Sequence, residues 1–145
     1  MPRLSFIIPA FNVSPYIGHT LDSICRSEGL CFDAVEVVVV DDGSSDGTAE
    51  VVRNFSAEHP QVDIRLLEQS NLGAAAARNA GLAAAAGEFV WFIDGDDLIA
   101  PFALKHIIKA IEMHHYADVM NTGAPVRFKG DIQPAIAEPE GIEAR

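Results

Sequence analysis

Short runs of apolar, mostly β-branched residues alternate along the chain with apolar stripes spaced for one face of a helix. The run at 35–40, VEVVVV, is nearly all valine, which is typical of a strand covered on both faces and therefore of a parallel sheet. Each run is followed by a polar segment and then by a helical stripe. The predicted strands are 4–9, 35–40, 62–67 and 88–93. The first predicted helix has Ser14 as its cap and Pro15 as its first residue, the second is capped by Ser45 or Asp46, and the other two begin at Gly73 and Pro101.

This alternation predicts an α/β fold. Four consecutive strand-helix units imply a Rossmann-like α/β/α sandwich around a doubly wound, mostly parallel sheet. One domain is expected at 1–121, in which 117–121 is a candidate fifth strand. Residues 122–145 contain three prolines and scattered charges without a period, so an irregular tail is expected there. An unfinished sheet edge could pair with a second copy, which keeps a homo-oligomer open.

The net charge limits the expected partners. The 145-residue chain is 49% hydrophobic and has a formal net charge of -11, so it is expected to be globular and to repel polyanions. Nucleic acids are therefore not expected as partners, and a bound phosphate is expected to need a cation. Because no apolar run is long enough to span a membrane and no signal-peptide pattern is visible, a cytoplasmic location is expected.

Three aspartates follow the fourth predicted strand in the segment FVWFIDGDDL. Asp94, Asp96 and Asp97 lie within four residues, where carboxylates repel one another unless a cation or strong donors compensate. Mg²⁺ or Mn²⁺ commonly takes one or two carboxylates and completes its shell with water and substrate phosphates. The spacing does not fit a calcium loop. The alternative to a metal site is a solvated acidic turn that caps a helix.

Two further polar segments are expected at the same edge of the sheet. Asp41 and Asp42 end the second strand in VVVVDDGSSDGT, where a carboxylate can accept from a nucleobase or ribose, or simply belong to a turn. Arg78 lies among small residues in NLGAAAARNAG, where it can neutralise an aspartate, contact a phosphate or remain a surface arginine. Ligands of open α/β sheets bind beyond the carboxyl ends of the strands, which is where these segments are predicted to lie.

Four segments occur in the order and approximate separation seen in family-2 glycosyltransferases, which have the GT-A fold. They are FIIPAFN, VVVVDDGSSDGT, NLGAAAARNAG and GEFVWFIDGDD, and the match covers roughly residues 3–115. The chain resembles the nucleotide-sugar-binding half of such an enzyme. The resemblance implies a nucleoside-diphosphate sugar as donor, UDP as its nucleotide, and a saccharide or lipid-linked acceptor in cell-wall or polysaccharide biosynthesis.

The resemblance also implies roles for particular residues. Asp94-Gly95-Asp96 is similar to the family's DxD motif, and Asp96 and Asp97 are implied to carry Mn²⁺ or Mg²⁺. Asp42 matches the acid that accepts from the base, and Arg78 matches the arginine near the diphosphate. The residues implied to bind the nucleotide sugar are Pro9, Ala10, Asn12, Asp42, Arg78, Asp94 and Asp96.

Members of this family transfer the sugar with inversion, which requires a general base. The family usually supplies a carboxylate from the second half of its domain, and we assign no base in this chain because the tail lacks the family's later motif. The chain is therefore expected to be truncated, with 122–145 an irregular tail or the start of a missing acceptor half. The full-length protein is expected in the cytoplasm, at the inner face of the membrane. The tail acids considered and set aside are Asp131, Glu138, Glu140 and Glu143.

Other functional classes stay open at this point. A noncatalytic nucleotide-binding or interaction module that retains the fold is the main alternative to a glycosyltransferase. A nucleotidyltransferase of similar fold is disfavoured because IIPAFNVSP is not a glycine-rich basic loop. Neither GxGxxG nor GxxxxGK[ST] occurs, which argues against a Rossmann dehydrogenase and a P-loop enzyme.

Overall fold

The computed structural model describes residues 4–113 and the pairs 120–121, 126–127 and 143–144. The longer strands are β1 Leu4–Ala10, β2 Val35–Asp41, β3 Asp63–Glu68 and β4 Phe89–Phe92. The helices are α1 Ser14–Cys25, α2 Thr48–Glu58, α3 Ala74–Ala84 and α4 Ala103–Met113. Four two-residue strands complete the described part: β5 Asp97–Leu98, β6 Met120–Asn121, β7 Val126–Arg127 and β8 Glu143–Ala144.

The four longer strands form one parallel sheet with the order β3-β2-β1-β4. The chain runs outward from β1 through β2 to β3 and then returns to the other side of β1 as β4. The strand order therefore reverses beside β1, and the crevice at such a reversal, beyond the carboxyl ends of the strands, is where α/β sheets bind ligands. The prediction of a doubly wound, mostly parallel sheet is confirmed.

Helices cover both faces of the sheet, and the valines of β2 show why. Val35, Val37 and Val39 face a core that includes residues of α1, α2 and α4. Val38 and Val40 face the opposite side and pack against alanines of α3. Since successive strand residues point to opposite faces, a strand buried on both sides must be apolar at nearly every position. The predicted α/β/α sandwich is therefore the observed arrangement.

Helix α3 lies unusually close to the sheet because its inner face consists of small residues. A Cβ atom added at Gly81 would lie only 2.4 Å from Cγ2 of Ile7 and 3.3 Å from Cγ2 of Val40. Ala77, one turn earlier, is fully buried. The alanine-rich sequence thus brings the helix and its Arg78 close to the carboxyl ends of β1 and β2.

One charged residue is buried inside the sheet, at its end opposite the crevice. Glu36 on β2 is 1% exposed and accepts hydrogen bonds from Ser5 Oγ and the Ala86 amide, while Arg65 forms an ion pair with it. Burial alone would raise the pKa of Glu36, but these donors outweigh it and hold that pKa below its ordinary value. The sequence pattern predicted Glu36 only as part of a strand and did not indicate this network.

The short strands lie outside the main sheet. β5 pairs antiparallel with β7, and β6 pairs antiparallel with β8. Of the candidate fifth strand at 117–121, only Met120 and Asn121 fall within the described residues, and they form β6, which pairs with β8 and does not join the parallel sheet. In the part of the chain described, every helix is too short or too polar to cross a membrane.

Candidate functional site

An open cleft of about 360 Å³ lies at the carboxyl ends of β1, β2 and β4, where the strand order reverses. Its walls come from the segments after these strands and from the first half of α3. Asp42 stands on one side, and Arg78 with the Asp94–Asp96 turn stands on the other. The lining residues are Pro9, Ala10, Phe11, Val13, Asp42, Asn71, Gly73, Ala74, Ala77, Arg78, Asp94, Gly95 and Asp96.

The loops after β1 and β2 are tied to each other by side-chain to backbone hydrogen bonds. Asp46 accepts from the Ser14 amide through Oδ2, at 3.0 Å, and from the Thr48 amide through Oδ1, at 3.1 Å. One carboxylate therefore caps the first turns of both α1 and α2. Desolvation alone would raise the pKa of Asp46, but the bonds from Thr48 and Ser14 lower it to about 2.

This arrangement changes two details predicted from the sequence. Ser14 was predicted to cap α1, but it is the first helical residue, and Val13 occupies the N-cap position without a side-chain cap of its own. Asp46 supplies the missing acceptor from the neighbouring loop. Asn12, which has φ 50°, binds the same loop, because its Oδ1 accepts from the Ser45 amide at 2.9 Å. Asn12 lies outside the cleft lining and holds the loop that carries Phe11.

Asp42 is 3% exposed and fixes the opposite wall of the cleft. Its Oδ1 accepts from Gln69 Nε2 and the Leu72 amide, each at 2.8 Å, and its Oδ2 accepts from the Gly73 amide at 2.9 Å. The side-chain bond from Gln69, followed by the two amides, holds the pKa of Asp42 below its ordinary value. Each carboxylate oxygen can accept two bonds, so Oδ2 retains one free lone pair.

The aspartates after β4 form a tight turn. The Asp97 amide donates to the Asp94 carbonyl at 3.0 Å, and one carboxylate oxygen from each of Asp94, Asp96 and Asp97 lies within 4.8 Å of the others. The Arg78 guanidinium of α3 contacts this turn and donates to Oδ1 of Asp94 at 2.8 Å. Within the described residues, no side chain donates to Asp96, which is exposed at the cleft.

This donor set fits a hard divalent cation. Mg²⁺ and Mn²⁺ prefer carboxylate, water and phosphate oxygens, and they commonly use only one or two carboxylates of the protein. Asp94 already has a cationic partner in Arg78, whereas Asp96 presents an exposed carboxylate at the cleft, with an oxygen of Asp97 within 4.8 Å of it. The three carboxylates after β4 could therefore hold such a cation, and the choice of Asp96 and Asp97 as its ligands stays a prediction.

The structure brings together six of the seven residues predicted to bind a nucleotide sugar. Pro9, Ala10, Asp42, Arg78, Asp94 and Asp96 all line the cleft. Two further lining residues, Phe11, which is 47% exposed, and Asn71, were not predicted because neither has a distinctive spacing in the sequence. An exposed aromatic directly after a buried strand was the available signal for Phe11. The tail acids considered as a general base have side chains outside those that the structure describes.

Comparison with protein families gives one match that covers most of the chain. The model described as "Glycosyl transferase family 2" matches residues 5–134. The uncharacterized glycosyltransferase EpsJ of Bacillus subtilis (strain 168) is 30% identical over 123 residues, which are 85% of this chain and 34% of EpsJ. The chain thus spans about a third of the length of that relative.

Solved structures of glycosyltransferases share the fold. Staphylococcus aureus TarS 1-349 in complex with UDP aligns with a TM-score of 0.72 and 34% identity, covering 79% of this chain and 33% of that one. The mannosyltransferase PcManGT from Pyrobaculum calidifontis, in complex with GDP-Man and Mn²⁺, aligns with a TM-score of 0.71 and 38% identity, covering 76% of this chain and 32% of that one. The fold predicted from the sequence, GT-A, is confirmed by these neighbours.

Proposed function

The chain belongs to glycosyltransferase family 2, and on that premise we propose that it forms the donor-binding part of an enzyme that transfers a sugar from a UDP-sugar to an acceptor hydroxyl. The observation that carries the proposal is the cleft, which joins Asp42, Arg78 and the aspartates after β4 at the reversal of strand order. At one end of the cleft, the Asp42 carboxylate offers acceptor atoms to a nucleoside. At the other end, the Arg78 guanidinium can bind a diphosphate directly, and the carboxylates after β4 can bind it through a divalent cation.

The nucleoside is assigned to the wall formed by Asp42 and Phe11. The remaining lone pair on Oδ2 of Asp42 can accept from a base N–H, and the exposed ring of Phe11 offers a flat apolar surface to a planar base. Pro9 and Ala10 form the floor, and Asn12 acts by holding the loop. UDP is proposed from the family resemblance and from the TarS complexes with UDP and UDP-GlcNAc, while PcManGT, which aligns equally well, was crystallised with GDP-Man, so GDP is tested beside UDP.

The diphosphate is assigned to Arg78 and to the turn at residues 94–97, called here the acidic turn. A guanidinium binds phosphate oxygens through paired N–H donors, and Arg78 has 39% of its side chain exposed for this purpose. Asp94 and Asp96 complete the donor site, and Asp96 with Asp97 would hold Mn²⁺ or Mg²⁺. When bound, the cation supplies Lewis-acid stabilisation of the charge that develops on the leaving diphosphate. PcManGT was crystallised with Mn²⁺.

The proposed reaction is a single displacement with inversion. The acceptor hydroxyl oxygen bonds to the anomeric carbon as the bond from that carbon to the diphosphate oxygen breaks, and a general base takes the hydroxyl proton. We assign no residue of this chain to that base. The acceptor is proposed to be a saccharide or lipid-linked glycan of cell-wall or polysaccharide synthesis, used in the cytoplasm at the inner face of the membrane. TarS itself is named a poly(ribitol-phosphate) beta-N-acetylglucosaminyltransferase.

Calorimetry with the purified chain tests the donor site. UDP, GDP and dTDP are titrated in Mn²⁺ and again in EDTA, with the wild type and with Asp96→Asn. Asp63→Asn is the control, because Asp63 is an exposed acid at the start of β3, at the opposite end of the sheet. The proposal expects UDP to bind in Mn²⁺, to bind at least about tenfold more weakly in EDTA or to Asp96→Asn, and to bind Asp63→Asn normally.

Two outcomes would contradict this proposal. If no nucleotide binds to the folded chain, the cleft is not a donor site, and a noncatalytic interaction module becomes the better account. If UDP binds equally well in EDTA and to Asp96→Asn, the acidic turn is not part of the site and the metal-dependent mechanism fails.

A further inference from the structure

A buried hydroxyl of α1 is bonded to the backbone of the acidic turn. Thr20 is 0% exposed and lies on the apolar stripe of α1 with Ile17, Leu21 and Ile24. Its Oγ1 donates to the Gly95 carbonyl at 3.0 Å, while its distance to the Tyr16 carbonyl in its own helix is longer, at 3.4 Å. A buried hydroxyl is costly without a partner, so this contact accounts for a polar residue on an otherwise apolar stripe.

The turn has little room to move against α1. A Cβ atom at Gly95 would lie 3.0 Å from Cγ2 of Val13 and 3.4 Å from Cδ1 of Ile17. One turn further along α1, Ser23 Oγ accepts from the Ile99 amide at 3.2 Å. Helix α1 therefore holds the segment 95–99 at two points through hydroxyl groups.

The acidic turn needs such support when no cation is bound. One oxygen from each of its three carboxylates lies within 4.8 Å of the others, and the repulsion that the Arg78 ion pair leaves favours backbone movement that separates them. The Gly95 carbonyl belongs to the peptide plane that joins Gly95 to Asp96, so fixing it restrains the backbone from which the Asp96 side chain leaves. A site held in place before binding loses less free energy on ordering than one that must assemble.

We infer that Thr20 is a positioning residue of the donor site, whose hydroxyl holds the Gly95 carbonyl so that the carboxylates of the acidic turn are arranged for a divalent cation before it arrives. Thr20 touches neither the cation nor the nucleotide and acts through the backbone of the turn. The inference rests on the proposed function, because the cation-dependent donor site is part of that proposal.

The test compares variants that keep or remove the hydroxyl. Thr20→Val keeps the β-branched shape and removes the donor, and Thr20→Ser keeps a donor. Ile24→Val is the matched control, since it removes one methylene from another fully buried position of α1. If Thr20→Val does not give the native circular dichroism spectrum, Thr20→Ala removes the same hydroxyl with a smaller side chain. Free Mn²⁺ is counted by electron paramagnetic resonance with UDP present, and UDP binding in EDTA is measured by calorimetry.

The inference expects a selective loss of cation affinity. Thr20→Val should weaken Mn²⁺ binding about three- to tenfold, the size of one neutral hydrogen bond, and leave UDP binding in EDTA within about twofold of wild type. Thr20→Ser and Ile24→Val should bind Mn²⁺ like the wild type. Wild-type Mn²⁺ affinity in Thr20→Val, or equal losses of Mn²⁺ affinity in Thr20→Val and Thr20→Ser, overturns the role of the Thr20 hydroxyl but leaves the proposed function standing. Absence of Mn²⁺ binding by the wild type overturns the proposed function and this inference together.

Discussion

Arg78 and Asp94 form an ion pair on one side of the cleft, with 2.8 Å between the guanidinium Nη2 and Oδ1 of the carboxylate. Their side chains are 39% and 50% exposed, and exposed pairs of this kind contribute only about 0–1 kcal/mol to stability. Breaking this ion pair therefore costs little free energy when a bound diphosphate replaces Asp94 as the partner of Arg78. It also keeps the guanidinium directed toward the acidic turn in the absence of ligand.

The first prediction concerns Arg78→Gln. We expect the Kd for UDP in Mn²⁺ to rise about tenfold, because a charge-assisted contact to the diphosphate is lost, while the free energy of unfolding changes by less than about 1 kcal/mol. Calorimetry and urea unfolding measure the two quantities. Arg53→Gln is the control, since Arg53 forms an exposed ion pair with Glu68 outside the cleft lining. Equal UDP affinities for the two variants would remove Arg78 from the site.

The second prediction concerns the loop that Asp42 fixes. In Asp42→Asn, an NH₂ group replaces one of the two oxygens that accept the Gln69, Leu72 and Gly73 donors, so at least one of these bonds must be lost. We expect the amides of Leu72 and Gly73 to exchange with solvent about tenfold faster, as measured by hydrogen-exchange NMR. Amides of α4 serve as the internal reference. Unchanged exchange at both amides would show that Asp42 does not hold this wall.

The third prediction follows from the double cap formed by Asp46. Its pKa is lowered from 3.8 to about 2 in the folded chain, so its contribution to stability is present above pH 4 and is lost as the pH falls from about 4 to 2. Asp46→Asn keeps one of the two acceptor oxygens and loses the other, so one of the two helix starts loses its acceptor and the variant should unfold up to about 1 kcal/mol more easily at pH 7. The difference in the free energy of unfolding between Asp46→Asn and the wild type, measured in urea, should shrink as the pH is lowered to about 2. A gap that is constant with pH would contradict the low pKa.

The fourth prediction uses two helical glycines with different surroundings. Gly81→Ala places a Cβ 2.4 Å from Cγ2 of Ile7, so it should destabilise the fold by about 1–3 kcal/mol despite the higher helix propensity of alanine. Gly18→Ala meets only Cγ1 of Val51 at 3.7 Å and should be neutral or stabilising by up to about 1 kcal/mol. Thermal unfolding of both variants tests the close approach of α3. Similar melting temperatures for Gly81→Ala and Gly18→Ala would contradict the close approach of α3 to the sheet.

Much of the fold could be predicted because local pattern and global packing agree. The valines of β2 indicated a strand buried on both faces, and the structure buries them on both faces. The position of the site was predictable because its polar segments directly follow strands, and the carboxyl ends of parallel strands meet at one edge of the sheet. The parts that were missed depend on partners distant in sequence: Asp46 caps a helix 32 positions away, and Glu36 binds donors from β1, β3 and the loop after α3. The hydrophobic periodicity of a segment does not indicate contacts between side chains that are distant in the sequence.

The most direct test of the central claim is a crystal structure of the chain grown with UDP and Mn²⁺, with anomalous data collected for manganese. We expect one anomalous peak within coordination distance of a carboxylate oxygen of Asp96 or Asp97. The diphosphate should lie between that peak and Arg78, and the uracil should lie against Phe11 and Asp42. Ordered UDP outside the cleft, or manganese bound away from both carboxylates, would contradict the assignment of this cleft as the donor site.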